Sequence, residues 1–126
     1  MFEVSVDRTF AAAHKLRDYH GKCESLHGHN YKVRVSIESE ALDEIGLVVD
    51  FVEIKRLIDT AIDRLDHTYL NEIPPFDVLN PSAENIAKLL HDEIAEGLAE
   101  RERAIPIRVA AVKIWETETS TATYRP

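Results

Sequence analysis

Apolar and polar side chains alternate without interruption in Tyr31-Lys32-Val33-Arg34-Val35-Ser36-Ile37. A period of two is typical of a β-strand that buries one face and exposes the other. The segment from Phe2 to Phe10 has the same spacing, interrupted by Arg8. We therefore predict two strands in the first third of the chain, separated by a polar stretch from Lys15 to Glu24.

Two helices are predicted after these strands. Asp50 has the residue type of a helix N-cap, and Glu53 follows three residues later in the capping-box position. Pro81-Ser82 is predicted to begin the second helix. The apolar positions at helical spacing are Phe51, Ile54, Leu57, Ile58, Ala61, Ile62 and Leu65 in the first helix, and Ile86, Leu89, Leu90, Ile94 and Leu98 in the second.

Extended segments surround the helices. Gly46–Val49 is a short extended run, Ile107–Trp115 is predicted to be a strand with apolar residues on both faces, and Thr117–Tyr124 is predicted to be the last strand. The order ββααββ predicts an α+β fold in one domain spanning residues 1–126. Open sheet edges and a strand apolar on both faces favour association of several chains, with the sheets closing between subunits.

The composition excludes several classes of protein. A net charge of -8 argues against a nucleic-acid partner, which needs a basic surface. No apolar run approaches the roughly 20 residues that span a bilayer. The start of the chain is acidic and alternating, unlike a signal peptide, so we expect a cytoplasmic protein. Because Cys23 is the only cysteine, an intramolecular disulfide and a four-cysteine zinc site are both impossible.

The charge is distributed unevenly. Residues 1–37 carry a local charge of +2, so the remainder of the chain carries -10. An anionic small molecule is therefore expected to meet the first third of the chain. The basic residues there are Arg8, Lys15, Arg17, Lys22, Lys32 and Arg34.

Histidines provide the first candidate for chemistry. His27 and His29 lie at i and i+2 at the start of a predicted strand, so their side chains share one face, about 6.5–7 Å apart along it. His14 ends the preceding strand, and a hairpin would bring it alongside. Three imidazoles are typical of a catalytic zinc site with one open position. The alternative is that these are surface or loop histidines, which is how we interpret His20 and His91.

Three further positions could take part. Cys23 is a candidate zinc ligand, nucleophile or base, or else a small buried residue, and its polar surroundings argue against burial. In Asp66-His67 the carboxylate could orient the imidazole, or His67 could simply interact with the dipole at a helix end. Glu116 ends an apolar strand, where its carboxylate is either solvated or recognises a paired donor edge.

These motifs together resemble the 6-pyruvoyl-tetrahydropterin synthase family over essentially the whole chain. The Cys-x-x-x-His-Gly-His spacing is similar to that of the bacterial 6-carboxytetrahydropterin synthase branch. The segments that carry the resemblance are Phe10-Ala11-Ala12-Ala13-His14, Cys23-Glu24-Ser25-Leu26-His27-Gly28-His29-Asn30-Tyr31, Leu65-Asp66-His67-Thr68-Tyr69-Leu70-Asn71, Pro81-Ser82-Ala83-Glu84-Asn85 and Trp115-Glu116-Thr117.

The resemblance implies a fold and an assembly. The fold is the tunnelling fold, in which trimers close their sheets into a barrel and two trimers stack as a homohexamer with active sites between subunits. The implied substrate is 7,8-dihydroneopterin triphosphate, converted to 6-carboxy-5,6,7,8-tetrahydropterin, acetaldehyde and triphosphate. That product feeds the synthesis of queuosine and other 7-deazapurines.

The resemblance also implies residue roles. The metal is Zn²⁺, held by three histidines, and Cys23 abstracts a proton beside Asp66 and His67. Glu116 anchors the pterin through its amino-pyrimidine edge, and Ser82 also binds substrate. The histidine ligands are His14, His27 and His29.

One feature leaves the product open. Glu24 directly follows Cys23, which gives Cys-Glu-x-x-His-Gly-His. A related branch that makes 6-hydroxymethyl-7,8-dihydropterin for folate carries Glu-x-x-His-Gly-His, so this chain satisfies both spacings. Glu24 is therefore a second candidate catalytic residue. The alternatives are a folate-branch or dual enzyme and, from another class, a non-catalytic zinc-binding module.

Overall fold

The computed structural model describes residues 1–19 and 25–126, so His20, Cys23 and Glu24 lie outside the described residues. The fold is α+β, as predicted, with a five-stranded sheet in the order β3-β1-β2-β4-β5 and two helices. The elements are β1 (Phe2–His14), β2 (His27–Ser39), α1 (Phe51–Asp63), β3 (Thr68–Tyr69), a 3₁₀ turn (Leu70–Glu72), α2 (Ala83–Ala99), β4 (Arg108–Trp115) and β5 (Thr121–Tyr124).

β1 and β2 form a long antiparallel hairpin. Their register pairs Val6 with Val35 and Phe10 with Tyr31, and it ends where His14 lies opposite His27. Both strands are longer than their alternation predicts. The alanines after Phe10 have a low intrinsic preference for strands, but pairing with the partner strand overrides that preference.

A bulge in β4 corrects the prediction of a strand apolar on both faces. Opposite Ser36 and Ile37 the register shifts, so that Ile37 pairs with Val109 while Ser36 pairs with Ala111. The unpaired Ala110 reverses the alternation. Odd-numbered Val109 therefore lies on the same face as the even-numbered apolar residues that follow, and burial on both sides of the sheet need not be invoked.

Both helices pack on one face of the sheet, which we call the covered face. Its β2 positions Tyr31, Val33, Val35 and Ile37 have no exposed surface and share one core with the buried sides of α1 and α2. Arg8, which interrupts the alternation in β1, also lies on this face, because its Nε donates to Asp59 Oδ1 of α1 at 2.9 Å. We call the opposite side the open face.

The helix caps are partly as predicted. Asp50 caps α1 by accepting from the amide of Val52 at 2.8 Å. Glu53 does not complete a capping box, because its Oε2 accepts from Arg103 Nη1 at 3.2 Å and its other oxygen also accepts from Arg103. The partly buried Glu53 carboxylate thus bonds to the Arg103 guanidinium and not to the backbone amide of Asp50, which is the donor in a capping box. Ser82 caps α2 by accepting from the amide of Asn85.

Three extended segments differ from the prediction. Thr68–Tyr69 forms a short strand parallel to β1, so the order ββααββ misses one edge strand. Gly46–Val49 is not a strand, because the carboxylate of Asp43 accepts from the amides of Ile45 and Leu47 and closes a turn. The last strand begins only at Thr121. In the described part of the chain, no helix combines the length and apolarity needed to cross a membrane.

Candidate active site

Four potential metal ligands converge at one end of the covered face. His14 ends β1, His27 and His29 begin β2, and Glu116 directly follows β4. The hairpin register places His14 opposite His27, as predicted. One ligand atom from each residue lies within 4.8 Å of all the others. A single cation could therefore contact all four side chains.

Backbone carbonyls orient two of the imidazoles. His14 Nδ1 lies 2.7 Å from the carbonyl oxygen of Pro81, and His27 Nδ1 lies 2.7 Å from that of Ser25. A carbonyl can only accept, so each Nδ1 carries the proton and each Nε2 presents a lone pair. These two Nε2 atoms are 3.1 Å apart. Lone pairs at that distance repel unless a proton or a metal cation lies between them.

His29 and Glu116 complete the cluster. Glu116 Oε1 lies 2.9 Å from His29 Nε2 and 3.3 Å from His14 Nε2. Within residues 1–19 and 25–126, His29 Nε2 is a buried nitrogen without a hydrogen bond of acceptable geometry. In these described ranges, a buried nitrogen that makes no such hydrogen bond but lies within 4.8 Å of two further ring nitrogens fits a metal ligand.

Electrostatics favour the neutral form of His29. Burial lowers its pKa, the neighbouring His14 and His27 lower it further, and Glu116 opposes them. Neutral imidazole is the form that binds metal, so the site disfavours the competing protonated state. Three imidazoles with a carboxylate or an exchangeable fourth ligand match the donor set that zinc uses in catalytic sites.

Asp66 and His67 form a pair at the outer edge of β1. Asp66 Oδ1 accepts from the amide of Ala11 at 2.9 Å and lies 3.0 Å from His67 Nδ1. The Ala11 amide, followed by His67, lowers the pKa of Asp66. His67 has a left-handed φ of 57°. Because α1 ends at Asp63, the interpretation of His67 as a dipole-stabilised helix end is wrong.

His67 remains separate from the metal-ligand cluster. Its side chain is 81% exposed, whereas that of His14 is 1% exposed. An open depression at this end of the sheet is lined by His67, Gly28 and His29 among others. The histidine cluster and the Asp66-His67 pair therefore border the same end of the sheet. In the described part of the chain, no hydrogen bond or ion pair joins them.

Ser82 is close to the histidine cluster because the preceding residue, Pro81, is bonded to His14. Its hydroxyl accepts from the amide of Asn85 at 3.2 Å, while the preceding Pro81 supplies the carbonyl bonded to His14. The start of α2 is thus fixed against the metal-ligand cluster. The predicted residues Cys23 and Glu24 lie outside the described residues, in the segment that leads to His27.

The surface assignment of His91 is wrong. It is 8% exposed on α2, its Nδ1 lies 3.0 Å from Asp92 Oδ1, and its ring meets the Tyr124 ring edge-on at 4.9 Å. The signal was available in the sequence, since His91 shares the helical spacing of the buried Ala87 and Ile94.

Sequence reasoning did not place Glu116 among the possible ligands. Its alternation with Val112 and Ile114 puts it on the covered face. Its position along the sheet depends on the register in which Lys32 pairs with Trp115. That register is a tertiary property, and the periodicity of β4 does not specify it.

Comparisons with known proteins identify relatives of this chain and a solved structure with the same fold. A family model described as 6-pyruvoyl tetrahydropterin synthase matches residues 3–126. The 6-carboxy-5,6,7,8-tetrahydropterin synthase of Bacillus subtilis is 34% identical over 130 residues, covering 99% of this chain and 86% of the relative. The dihydroneopterin monophosphate aldolase of Pyrococcus furiosus is 32% identical over 110 residues, covering 86% and 83%.

A solved structure shares the fold over the full length. The 6-pyruvoyl tetrahydropterin synthase of Caenorhabditis elegans superposes with a TM-score of 0.82 at 26% sequence identity. The match covers 100% of this chain and 97% of that chain.

Proposed function

Because this chain belongs to the 6-pyruvoyl tetrahydropterin synthase family, we propose that it is a zinc-dependent lyase acting on 7,8-dihydroneopterin triphosphate. With one water molecule, the substrate yields 6-carboxy-5,6,7,8-tetrahydropterin, acetaldehyde and triphosphate. The observation that carries the proposal is the convergence of His14, His27, His29 and Glu116 within 4.8 Å. A product of this kind would supply the synthesis of queuosine and other 7-deazapurines in the cytoplasm.

The three histidines would hold the zinc. When bound, zinc supplies a Lewis acid that polarises the side-chain hydroxyls of the substrate and stabilises charge left by the loss of a carbon-bound proton. The carbonyls of Pro81 and Ser25 fix the rings of His14 and His27 before any ligand arrives. Such preorientation by outer partners is typical of catalytic metal sites.

Glu116 would recognise the pterin. Its carboxylate can accept two parallel hydrogen bonds, from a ring N–H and from the exocyclic amine. Its Oε1 lies beside His14 and His29, so a pterin held there would place its side chain close to the metal ligands. Ser82, whose neighbour Pro81 holds His14, would contribute to the same substrate-binding surface.

Proton transfer would be the task of Cys23, Asp66 and His67. A thiolate whose pKa is lowered by nearby positive charge is a plausible base. The bond between Asp66 and His67 fixes the proton on His67 Nδ1, which leaves Nε2 free to exchange protons. The exposure of His67 supports an active site that is completed between subunits.

Product analysis tests the proposal directly. Purified protein is incubated with 7,8-dihydroneopterin triphosphate, and the pterins are identified by chromatography and mass spectrometry. We expect 6-carboxytetrahydropterin as the dominant product, with acetaldehyde and triphosphate in equal amounts. A zinc-loaded protein that consumed no substrate would instead favour a non-catalytic zinc-binding module.

A second candidate is cleavage to 6-hydroxymethyl-7,8-dihydropterin, either alone or as a side reaction. The similarity to an aldolase from Pyrococcus furiosus and the position of Glu24 next to Cys23 favour it. A thiolate and a carboxylate differ in basicity and reach, so they could draw protons from different points on one substrate side chain.

Paired variants separate the two products. Loss of a positioned base costs about 10²–10⁴-fold in rate. Cys23→Ala should therefore nearly abolish the carboxy product and leave the hydroxymethyl product detectable, while Glu24→Ala should do the reverse. If Cys23→Ala lost both activities and Glu24→Ala changed neither, Glu24 would have no catalytic role.

We also propose that the chain assembles as a homohexamer of two stacked trimers. Both edges of the sheet are open in the described residues, since β3 covers only Ala12 and Ala13 of β1 and the outer side of β5 has no partner strand. Unpaired edges favour pairing with another copy, and closure into a barrel removes them. Light scattering should give the mass of six chains, and a stable, active monomer would contradict this.

A further inference from the structure

Three cations surround the single tryptophan on the open face. Lys32 Nζ lies 4.4 Å, Lys113 Nζ 4.7 Å and Arg34 Cζ 5.2 Å from the centroid of the Trp115 ring. We call Lys32, Arg34, Lys113 and Trp115 the tryptophan cluster. The cross-strand register creates it, because Lys32 pairs with Trp115 and Arg34 pairs with Lys113.

The cluster has too little negative charge of its own. Asp7 binds Arg34 through both oxygens at 2.8 and 2.9 Å, and its distance to Lys32 is 3.5 Å. Among residues 1–19 and 25–126, Lys113 forms no ion pair. Three positive groups therefore face one carboxylate, which leaves a local charge of +2 in a chain whose total charge is -8.

Favourable packing of cations on the Trp115 indole does not explain why three of them lie around one ring. One cation over a ring gives the favourable cation–π contact, and each further cation repels those already there. Because all three lie within 5.2 Å of one centroid, their separations are comparable with the Debye length of about 8 Å at physiological ionic strength, so salt screens them incompletely. A multivalent anion would relieve that repulsion.

Neighbouring strands supply further donors. Thr9 pairs with Lys32, Thr121 pairs with Trp115, and Thr123 pairs with Lys113, so their side chains lie on the same open face. All three threonines are exposed. Hydroxyls flanking ammonium and guanidinium groups match the oxygens of a phosphate chain, and a bidentate guanidinium in particular suits phosphate.

We propose that the tryptophan cluster binds a small oligophosphate such as a triphosphate, at a site separate from the histidine cluster. The sheet itself lies between the two, because the histidines are on the covered face. The choice of triphosphate as ligand rests on the proposed function. The charge and geometry of the cluster are observed independently of that function. The source would be either the phosphate chain of a substrate molecule that has not yet entered the active site or the triphosphate that is released.

Fluorescence provides a direct test, because Trp115 is the only tryptophan. The full-length protein is titrated with inorganic triphosphate in magnesium-free buffer, and Trp115 emission is followed with calorimetry in parallel. We expect a saturable change, and Lys113→Gln should weaken binding by about tenfold through loss of one charge-assisted contact. Lys88→Gln is the matched control, since Lys88 lies 5.6 Å over the Tyr124 ring instead.

Several results would overturn the proposal. An unchanged Trp115 signal at millimolar triphosphate would do so, as would equal affinities of Lys113→Gln and the wild type. His29→Ala should retain triphosphate binding, and its loss there would place the anion at the histidine cluster. The titration needs no turnover, so an inactive protein that still binds triphosphate refutes the proposed reaction but supports this site.

Kinetics then distinguish the two sources of the ligand. If the incoming substrate uses the cluster, Lys113→Gln should raise KM for 7,8-dihydroneopterin triphosphate. If only the released anion uses it, KM should stay constant while inhibition by added triphosphate weakens. An unchanged KM together with unchanged inhibition would contradict a role for the cluster in this reaction.

Discussion

The two faces of the sheet place charged groups in opposite surroundings. On the covered face, the side chains of His29 and Glu116 are 16% and 26% exposed. On the open face, those of Lys32 and Arg34 are 41% and 42% exposed. The rings of His14 and His27 are held by backbone carbonyls, whereas the cations lie against one indole ring and one carboxylate.

This difference suggests two kinds of binding. Partial burial penalises protonation of His29, and backbone carbonyls fix the rings of its neighbours His14 and His27, which together suit tight binding of one small cation. Exposed ammonium groups retain hydration and mobility, so the open face suits weaker and salt-sensitive binding of an anion. One sheet can thus separate positively and negatively charged ligands by directing alternate residues of the same strand to opposite sides.

The largest expected effect follows from removing a ligand on the covered face. His27→Ala and His29→Ala should each lose most of the zinc, which we expect at about one ion per chain in the wild type, and with it nearly all activity. Metal analysis of the purified proteins measures this. His67→Ala is the control, because His67 is exposed and should leave the zinc content unchanged.

Retention of full zinc in both His27→Ala and His29→Ala would refute the metal site. It would also remove the distinction between the faces, since the covered face would then hold no ligand of its own.

A smaller effect is expected from Glu116→Gln. An amide cannot accept two hydrogen bonds from the pterin edge as a carboxylate does. KM should therefore rise by about tenfold or more, with zinc content unchanged because the three histidines suffice. Steady-state kinetics and metal analysis measure the two quantities.

The alternative outcome for Glu116→Gln is a loss of zinc. The 2.9 Å distance between Glu116 Oε1 and His29 Nε2 would then mark Glu116 as a metal ligand, and its assignment to the pterin would be wrong. Unaltered kinetics with unaltered zinc would remove Glu116 from the site entirely.

Periodicity predicted most of the fold because each strong element obeys one local rule. The alternation of Tyr31–Ile37, the cap at Asp50 and the helix start at Pro81-Ser82 need only neighbours in sequence. Two of the failures depend on distant partners. Glu53 bonds to Arg103, and the bulge at Ala110 is defined only by its pairing with β2.

The candidate site divides in the same way. His14, His27 and His29 were predicted to converge because hairpin geometry follows from alternation along the two strands. The tautomers of His14 and His27 depend on carbonyls of Pro81 and Ser25, which no side-chain pattern reveals. The tryptophan cluster could not be predicted from the sequence either, because its members come from two strands, β2 and β4, that are far apart in sequence.

Adjacent residues of β2 offer a stability test of the two faces. Val35 is completely buried between Val6 and Val112 in register, so Val35→Ala should reduce the free energy of unfolding by about 2 kcal/mol. Arg34→Gln, one residue earlier on the open face, should leave it nearly unchanged. Urea unfolding followed by circular dichroism measures both, and equal losses would contradict the assignment of faces.

The smallest expected effect concerns Asp7, whose carboxylate is the only acidic partner described for the cluster. The Arg34 guanidinium lowers the pKa of Asp7, so the ion pair stabilises the fold above the ordinary aspartate pKa of about 4 and is lost as the pH falls through the lower, folded value. Asp7→Asn should therefore lower the thermal midpoint by at most a few degrees at pH 7, and this difference should vanish once the pH falls below the lowered pKa of Asp7. The same variant should bind inorganic triphosphate several-fold more tightly, since one competing negative charge is gone. Asp59→Asn, which removes the partner of Arg8 on the covered face, is the matched control and should leave triphosphate affinity unchanged. Weaker triphosphate binding by Asp7→Asn would mean that Asp7 positions Arg34 for the anion more than it competes with it.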